Sequence, residues 1–407
     1  MKAIINLFKN RLALSKLPRG VWALGFVSLW MDVSSEMIHA LLPIYLVTTM
    51  GATMMTVGII EGIAEATAAI TKLFSGAISD WLGKRKPLAV LGYGLAALTK
   101  PVFPLAPTIG WLIGARFIDR VGKGIRGAPR DALIADLTSP EQRGAGFGLR
   151  QSLDTVGAFL GPLVAIGLMW LTSDNIPMVF WFSMLPAVIA VYLLVTRVSE
   201  PEHPAPASKV KSPLSLGELR LLGRGFWMVV IVACIYTLGR FSEAFLILKA
   251  HSEGVSVGMI PLVLVVLNIS FAAAAYPAGA LSDRRSRIEI LAIGAALLVV
   301  ADLILALLPG QLGLLVGLVL WGVHMGFTQG AFAALVADCA PVERRGTAFG
   351  MLHLVTGVAI LIASVMAGLF WDIAGPQSTF LVGAAIALLS LMTMWPLSRV
   401  LARQPIT

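Results

Sequence analysis

The chain has 407 residues, of which 57% are apolar and only 13% charged, at a mean hydropathy of +0.86. Soluble domains average about 25% charged residues, so this composition excludes a water-soluble enzyme and requires lipid as the main solvent. In a soluble protein a net charge of +9 would suggest a nucleic-acid partner; here the basic residues gather in short loops, which is a topology signal, and no nucleic acid is expected.

Gly, Pro and charge divide the chain into twelve apolar segments: 21–49, 55–79, 88–107, 109–136, 144–171, 177–196, 225–249, 257–280, 288–308, 311–337, 346–371 and 377–397. Each can cross a hydrocarbon core of about 30 Å at about 1.5 Å per residue. The runs are continuous rather than alternating, so the spans are helices and not strands. The stretch before span 1 is basic (Lys2, Lys9, Arg11, Lys16, Arg19). The apolar run after it is long and has no small-residue cleavage site, so it reads as a first membrane helix rather than a removed signal peptide.

The charges inside these segments come in chain order. Span 1 carries Asp32, Glu36 and His39 on one face, and span 2 carries Glu61 and Glu65 one turn apart. Asp80 ends span 2, and Lys84, Arg85 and Lys86 follow it. Span 3 holds Lys100. Span 4 holds Arg116, Asp119, Arg120, Lys123, Arg126, Arg130 and Asp131, with Asp136 at its end and Arg143 in the next loop. Span 5 offers Arg150 and Asp154, then Gly157 and Gly161-Pro162, which permit close helix approach and a kink. A Pro-, Ser- and charge-rich stretch at 197–224 reads as a cytoplasmic linker between a bundle at 1–196 and a bundle at 225–407. Span 7 has Arg240 and Glu243, span 9 has Asp302, and span 10 has His324.

Lys and Arg occupy the terminal segments and the 2–3, 4–5, 6–7, 8–9 and 10–11 loops, while the alternate loops hold none apart from Lys249 at the edge of the 7–8 loop. Both termini are therefore expected in the cytoplasm. The halves also repeat. Gly76-Ala-Ile-Ser-Asp80 returns as Gly279-Ala-Leu-Ser-Asp283, and Ala135-Asp136 with Arg143-Gly144 returns 202 residues later as Ala337-Asp338 with Arg345-Gly346. Lys100 and Asp302 stand at the same offset and read as structural or locally paired. A duplicated six-helix unit points to a solute site near mid-membrane between the halves. The two cysteines, Cys234 and Cys339, form no CxxC or zinc spacing.

The segment from Gly76 through Asp80 and Gly83-Lys84-Arg85-Lys86 resembles, almost position for position, the 2–3 loop signature of the major facilitator superfamily. Asp283-Arg284-Arg285 resembles its degenerate second copy, Asp136, Pro140, Arg143 and Gly144 its 4–5 loop signature, and Arg120, Gly124 and Ala128 its helix-4 motif. Gly157-Ala-Phe-Leu-Gly161-Pro162 resembles its helix-5 antiporter motif. Ser34-Ser35-Glu36-Met37 and Gly122-Lys-Gly-Ile-Arg126 are similar to bacterial exporters that include nickel-resistance permeases and drug:proton antiporters, although no His-rich tail follows. The resemblance covers essentially the whole chain. It implies an all-α polytopic membrane protein of the major facilitator fold, with twelve transmembrane helices in two pseudo-symmetric bundles. It also implies a functional monomer in a bacterial inner membrane that exports a solute by alternating access in exchange for protons.

A charge inside the bilayer costs about 2.5–3.5 kcal/mol on insertion scales, so such residues must pair or line water. Asp32, Glu36, Glu65, Asp119 and Arg120 are the expected proton-coupling residues. Asp32, Glu36, His39, Glu61, Arg116, Arg126, Asp154, Arg240, Glu243 and His324 are the expected substrate contacts. Asp80, Lys84, Arg85, Asp136, Arg143, Asp283 and Arg345 are the expected gating set. Asp119 is expected to be neutralised by Arg116 or Lys123, and much of the span-4 stripe by carboxylates of spans 1 and 2. The acidic cluster suits a toxic cation, either a divalent metal such as nickel or a drug-like compound. The basic stripe leaves an anion open, and a non-transporting receptor is the remaining alternative. No Walker A motif, cofactor site, metal-cofactor site or enzymatic nucleophile–base pair is read.

Overall fold

In lipid a long apolar run must satisfy its own amides, and a helix does so within one segment. The computed structural model is helical, with no strand among the described residues. The structure describes residues 17–82, 84–139, 142–200, 222–282, 285–341 and 344–401. The basic residues before position 17, most of the expected linker, Asp283 and the side chain of Asp80 lie outside them.

Span 1 is Arg19–His39 followed by Leu42–Thr48, and span 2 is Met54–Leu82. Span 3 is Lys86–Thr99 with a last turn Val102–Leu105; spans 4, 5 and 6 are Ile109–Leu137, Arg143–Leu171 and Ile176–Arg197. Span 7 is Arg224–Gly239 and then Ala244–Ser252. Span 8 is Leu262–Ser282 after a 3-10 turn at Val257–Met259. Spans 9 to 12 are Arg287–Leu307, Gln311–Cys339, Arg345–Ala374 and Pro376–Leu401. Among the described residues, ten of the twelve spans meet a plain length-and-apolarity standard for crossing a membrane. The two that do not are span 1, which is interrupted and holds Asp32 and Glu36, and span 4, which holds seven charges before Ala132.

Among the described residues spans 1, 3 and 7 are broken, and the breaks have local causes. Pro43 and Pro101 have no amide to donate to the preceding turn, so spans 1 and 3 interrupt just before them. Span 7 stops at Gly239, and Arg240 turns extended (φ −106°, ψ 91°). The freed amides there are taken by hydroxyls: Ser242 N–H donates to Ser364 Oγ at 3.2 Å and Ala244 N–H to Ser242 Oγ at 3.3 Å.

Two compact units result. The first holds span 1 through His39, span 2 from Thr71, and spans 3 to 6. Within it span 1 packs on spans 5 and 6, and span 3 on spans 4 and 6. Its apolar core joins Val21, Leu24 and Val27 of span 1 to Tyr93, Ala187 and Leu194. The second unit holds residues Ala40–Ile70 with spans 7 to 12. Within it span 7 packs on spans 11 and 12, and span 9 on spans 10 and 12. Adding six to each span number converts one pairing scheme into the other. The repeat holds in detail: Gly92 lies against the Gly122 carbonyl and Arg126, and Gly294 against the His324 carbonyl and Thr328, each 202 residues on.

Candidate functional site

Span 1 presents its acids on a face that span 5 approaches at backbone distance. A Cβ on Gly157 would lie 2.6 Å from the Leu29 carbonyl oxygen, and one on Gly161 would lie 2.6 Å from Glu36 Cβ. The helix-5 glycine pair therefore serves a contact with span 1 inside the first unit. That approach brings Asp154 of span 5 into the field of Asp32, together with Glu36 of like sign and Arg126 and Lys123 of opposite sign. Glu36 Oε2 and His39 Nδ1 are 3.2 Å apart, with side chains 23% and 14% exposed. Asp32 is also half-buried, and Lys123 is exposed. Asp32, Glu36 and His39 are thus only partly buried, whereas Arg126 is buried.

The rest of span 4 is mostly neutralised, though not as expected. Asp119 is met first by Lys100, which the sequence did not single out as its partner, with Arg116 acting on it as well: Lys100 Nζ donates to Oδ1 at 3.0 Å, and Arg120 Nε is 3.8 Å from Oδ2. Lys100 sits where span 3 breaks, so its long side chain reaches inside the unit, where it also donates to Ser35 Oγ at 3.3 Å. Lys100 and Asp119 are 1% and 5% exposed, and Arg116, Arg120 and Arg126 are buried too. Further along, Arg130 Nη2 is 3.1 Å from Asp131, Arg150 Nε is 3.8 Å from Asp131, and Arg150 Nη1 donates to Asp154 at 2.5 Å. Arg120 and Arg130 thus have acids on span 4 itself, while Lys123 and Arg126 stand in the field of Asp32 on span 1. Arg126 stacks over the Tyr93 ring at 4.6 Å, and its Nη1 has no hydrogen-bond partner among the described residues.

Two members of the expected gating set meet at the loop end of this unit. Arg85 Nε is 2.5 Å from Asp136, and the Arg85 and Lys86 amides both donate to the Glu200 carboxylate at 2.7 Å. Lys84 and Arg143 are exposed. The second unit repeats the contact as Arg287 with Asp338 at 2.8 Å, which sequence reasoning missed. The signal was present, since both stand 202 residues after Arg85 and Asp136. Arg345 donates instead to the Ala337 carbonyl at 3.2 Å.

The remaining expected contacts belong to the second unit. Glu61 is buried there and Glu65 half-buried. Arg240 and Glu243 flank the span 7 break at 3.3 Å from each other, with Arg240 5.6 Å over the Trp321 ring. His324 is fully buried and edge-on to Trp321 at 4.8 Å. Tyr236 donates to Thr328 Oγ1 at 3.0 Å. Asp302 accepts from Trp321 Nε1 at 3.1 Å, while its Oδ2 lies against Gly383 with no hydrogen-bond partner among the described residues. Neither His39 nor His324 belongs to a group of three metal-ligating side chains among the described residues.

Comparison with known proteins agrees with this geometry. The family model of the Major Facilitator Superfamily matches residues 23–253 and again 233–405. An uncharacterized MFS-type transporter of Methanocaldococcus jannaschii is 33% identical over 95% of this chain and 96% of its own length. The multidrug resistance protein MdtH of Photorhabdus laumondii is 30% identical over 46% of each chain. Among solved structures, a POT family transporter in complex with a thioalcohol-conjugated peptide superposes with a TM-score of 0.78 at 12% identity, over 95% of this chain and 99% of that one, which shows the fold. The chain belongs to the major facilitator superfamily and is a multi-pass membrane transporter.

Proposed function

We propose that this member of the superfamily is a proton-coupled exporter that carries a small organic cation out across a bacterial inner membrane by alternating access. In this reading bundles 1–196 and 225–407, joined by the linker 197–224, form a functional monomer with both termini in the cytoplasm. The observation that carries it is the half-exposed row Asp32, Glu36 and His39, set against Asp154, Lys123 and Arg126 within one unit. A carboxylate that faces open space at membrane depth can hold a proton or a cation but not both. Binding one displaces the other, which is the elementary requirement for exchange. The fixed charges of Lys123 and Arg126 keep the balance close, so occupancy can switch with the side of the membrane to which the row is open.

The scarcity of clustered metal ligands among the described residues favours an organic cation over nickel. The partial likeness to a protein named for multidrug resistance points the same way. One observation favours a second reading, in which Arg126 and Lys123 receive an anion: the buried Arg126 Nη1 has no hydrogen-bond partner among the described residues.

Everted vesicles with an acid interior, followed by a pH-sensitive dye, test both. Lipophilic cations are expected to discharge the gradient only when the protein is present, and Glu36→Gln is expected to abolish the response while the folded protein persists. Discharge by organic anions, lost in Arg126→Gln but kept in Glu36→Gln, would replace the first reading with the second.

A further inference from the structure

Span 2 begins at Met54, at the end opposite the Arg85 loop, and its first amides are taken by a side chain from far along the chain. Met54 N–H donates to Asp372 Oδ1 at 3.0 Å, and Met55 N–H donates to Oδ2 at 2.9 Å. Asp372 stands in the last turn of span 11, in the same compact unit. An anion on the free amides of a helix start is favoured by both hydrogen bonding and the helix dipole.

Below this point the two helices touch backbone to backbone. A Cβ on Gly368 would collide with the Met54 carbonyl, and one on Gly58 with the Ser364 carbonyl. One on Gly62 would lie 2.9 Å from Leu361 Cα, and one on Gly357 would lie 2.9 Å from Ala69 Cβ. At each of these four contacts one face is a glycine, so little side chain has to be withdrawn there for the two faces to part. Span 2 also keeps a cap of its own, because Thr56 N–H donates to Thr53 Oγ1 at 3.1 Å. Asp372 is solvent-exposed, so water can replace both amides. Loss of the contact therefore leaves the helix start intact.

We infer that Asp372 is a positioning residue for transport: its carboxylate holds the first half of span 2 against span 11, and its release lets the glycine seam open toward the extracytoplasmic side. The reading rests on the alternating access proposed above, but its test needs neither substrate nor proton gradient. Ser364 is fully buried in the seam. In a chain with Cys234 and Cys339 replaced, Ser364→Cys is exposed in intact cells to a membrane-impermeant thiol reagent, and the labelling rate is read.

Losing two charge-assisted hydrogen bonds is expected to raise that rate about tenfold or more in Asp372→Asn, with Asp372→Glu close to the parent. Gly368→Ala, which wedges the seam without touching the carboxylate, is expected to raise it as well, and a thermal melt confirms that each variant is folded. An unchanged rate in folded Asp372→Asn overturns the role of Asp372, whether or not Gly368→Ala opens the seam. Failure of every solute in the vesicle assay would sink the proposed cargo and coupling while leaving this labelling result to stand or fall by itself.

Discussion

Span 3 meets span 4, and span 9 meets span 10, at one register, yet the two contacts differ in kind. In the first unit Lys100 and Asp119 form an ion pair at 3.0 Å; in the second, 202 residues on, Asp302 and Trp321 form a hydrogen bond at 3.1 Å. All four side chains are buried. The duplicated scaffold has kept the geometry of the contact and changed its charge. The surroundings follow suit. The first unit gathers Arg116, Arg120 and Arg126 around its pair, whereas the second sets Phe241, Phe245 and Phe380 beside an aromatic–histidine group. The fold needs a polar tie between two helices at this register; the three buried arginines around it belong to the first unit.

Breaking the ion pair should have the largest effect. Lys100→Met removes the nearest partner of a buried carboxylate, leaving it to Arg120 at 3.8 Å, and is expected to destabilise the protein by about 3–5 kcal/mol in a denaturation series in micelles. Removing Asp119 as well, in Lys100→Met with Asp119→Leu, is expected to recover most of that loss. A double variant no better than the single one would mean that the pair itself, not the stranded charge, holds the helices.

At the corresponding place in the second unit, Trp321→Phe strands Asp302 and should cost about 1–3 kcal/mol. Asp302→Asn keeps an acceptor for the indole and should cost less. Equal losses in the two would deny that the indole hydrogen bond is what matters there.

The seam between spans 1 and 5 sharpens the comparison further. Gly157 and Gly161 correspond to Ala359 and Ala363, so the second unit's equivalent helices tolerate a methyl where the first unit's do not. Gly157→Ala is expected to cost about 1–3 kcal/mol by overpacking, and Ala359→Gly only about 1 kcal/mol of helix propensity. The reverse order would show that the two seams are not packed alike.

The smallest effect lies outside the spans. Glu253 accepts from the Gly310 amide at 2.6 Å and from Lys249, tying the 7–8 loop to the start of span 10. The bond from Lys249 holds its carboxyl below the ordinary value of 4.5. A carboxyl lowered by folding adds stability above its ordinary value and loses it as pH falls through the lowered one. Melts of the parent and Glu253→Gln should therefore differ by under about 1 kcal/mol near neutrality and converge in acid. A difference that grew on acidification would reverse the assignment.

Much of this architecture was legible because lipid leaves few choices. Apolar runs bounded by Gly, Pro and charge placed the spans within a few residues, and the 202-residue offset reappeared as the packing of Gly92 and Gly294. The breaks at Pro43 and Pro101 were readable but unread, whereas the one at Arg240 depends on a hydroxyl supplied by Ser364. Side-chain partners were less legible. Asp119 has basic neighbours along its own helix, and only the packing of span 3 on span 4 makes Lys100 its partner. Glu200 and Asp372 belong to no periodic pattern, since each acts on the backbone of a distant segment.

That last arrangement bears on how the chain is made. The amides of Met54 and Met55 wait for a carboxylate about 318 residues downstream. At synthesis rates of about 5–20 residues per second, the interval is on the order of tens of seconds. Throughout it, span 2 is in the membrane with its start capped only by Thr53, and water or lipid headgroups must solvate the open amides. Asp372 thus closes the assembly late, and a ribosome stalled before span 11 leaves a first half whose outer helix end has nothing yet to rest against.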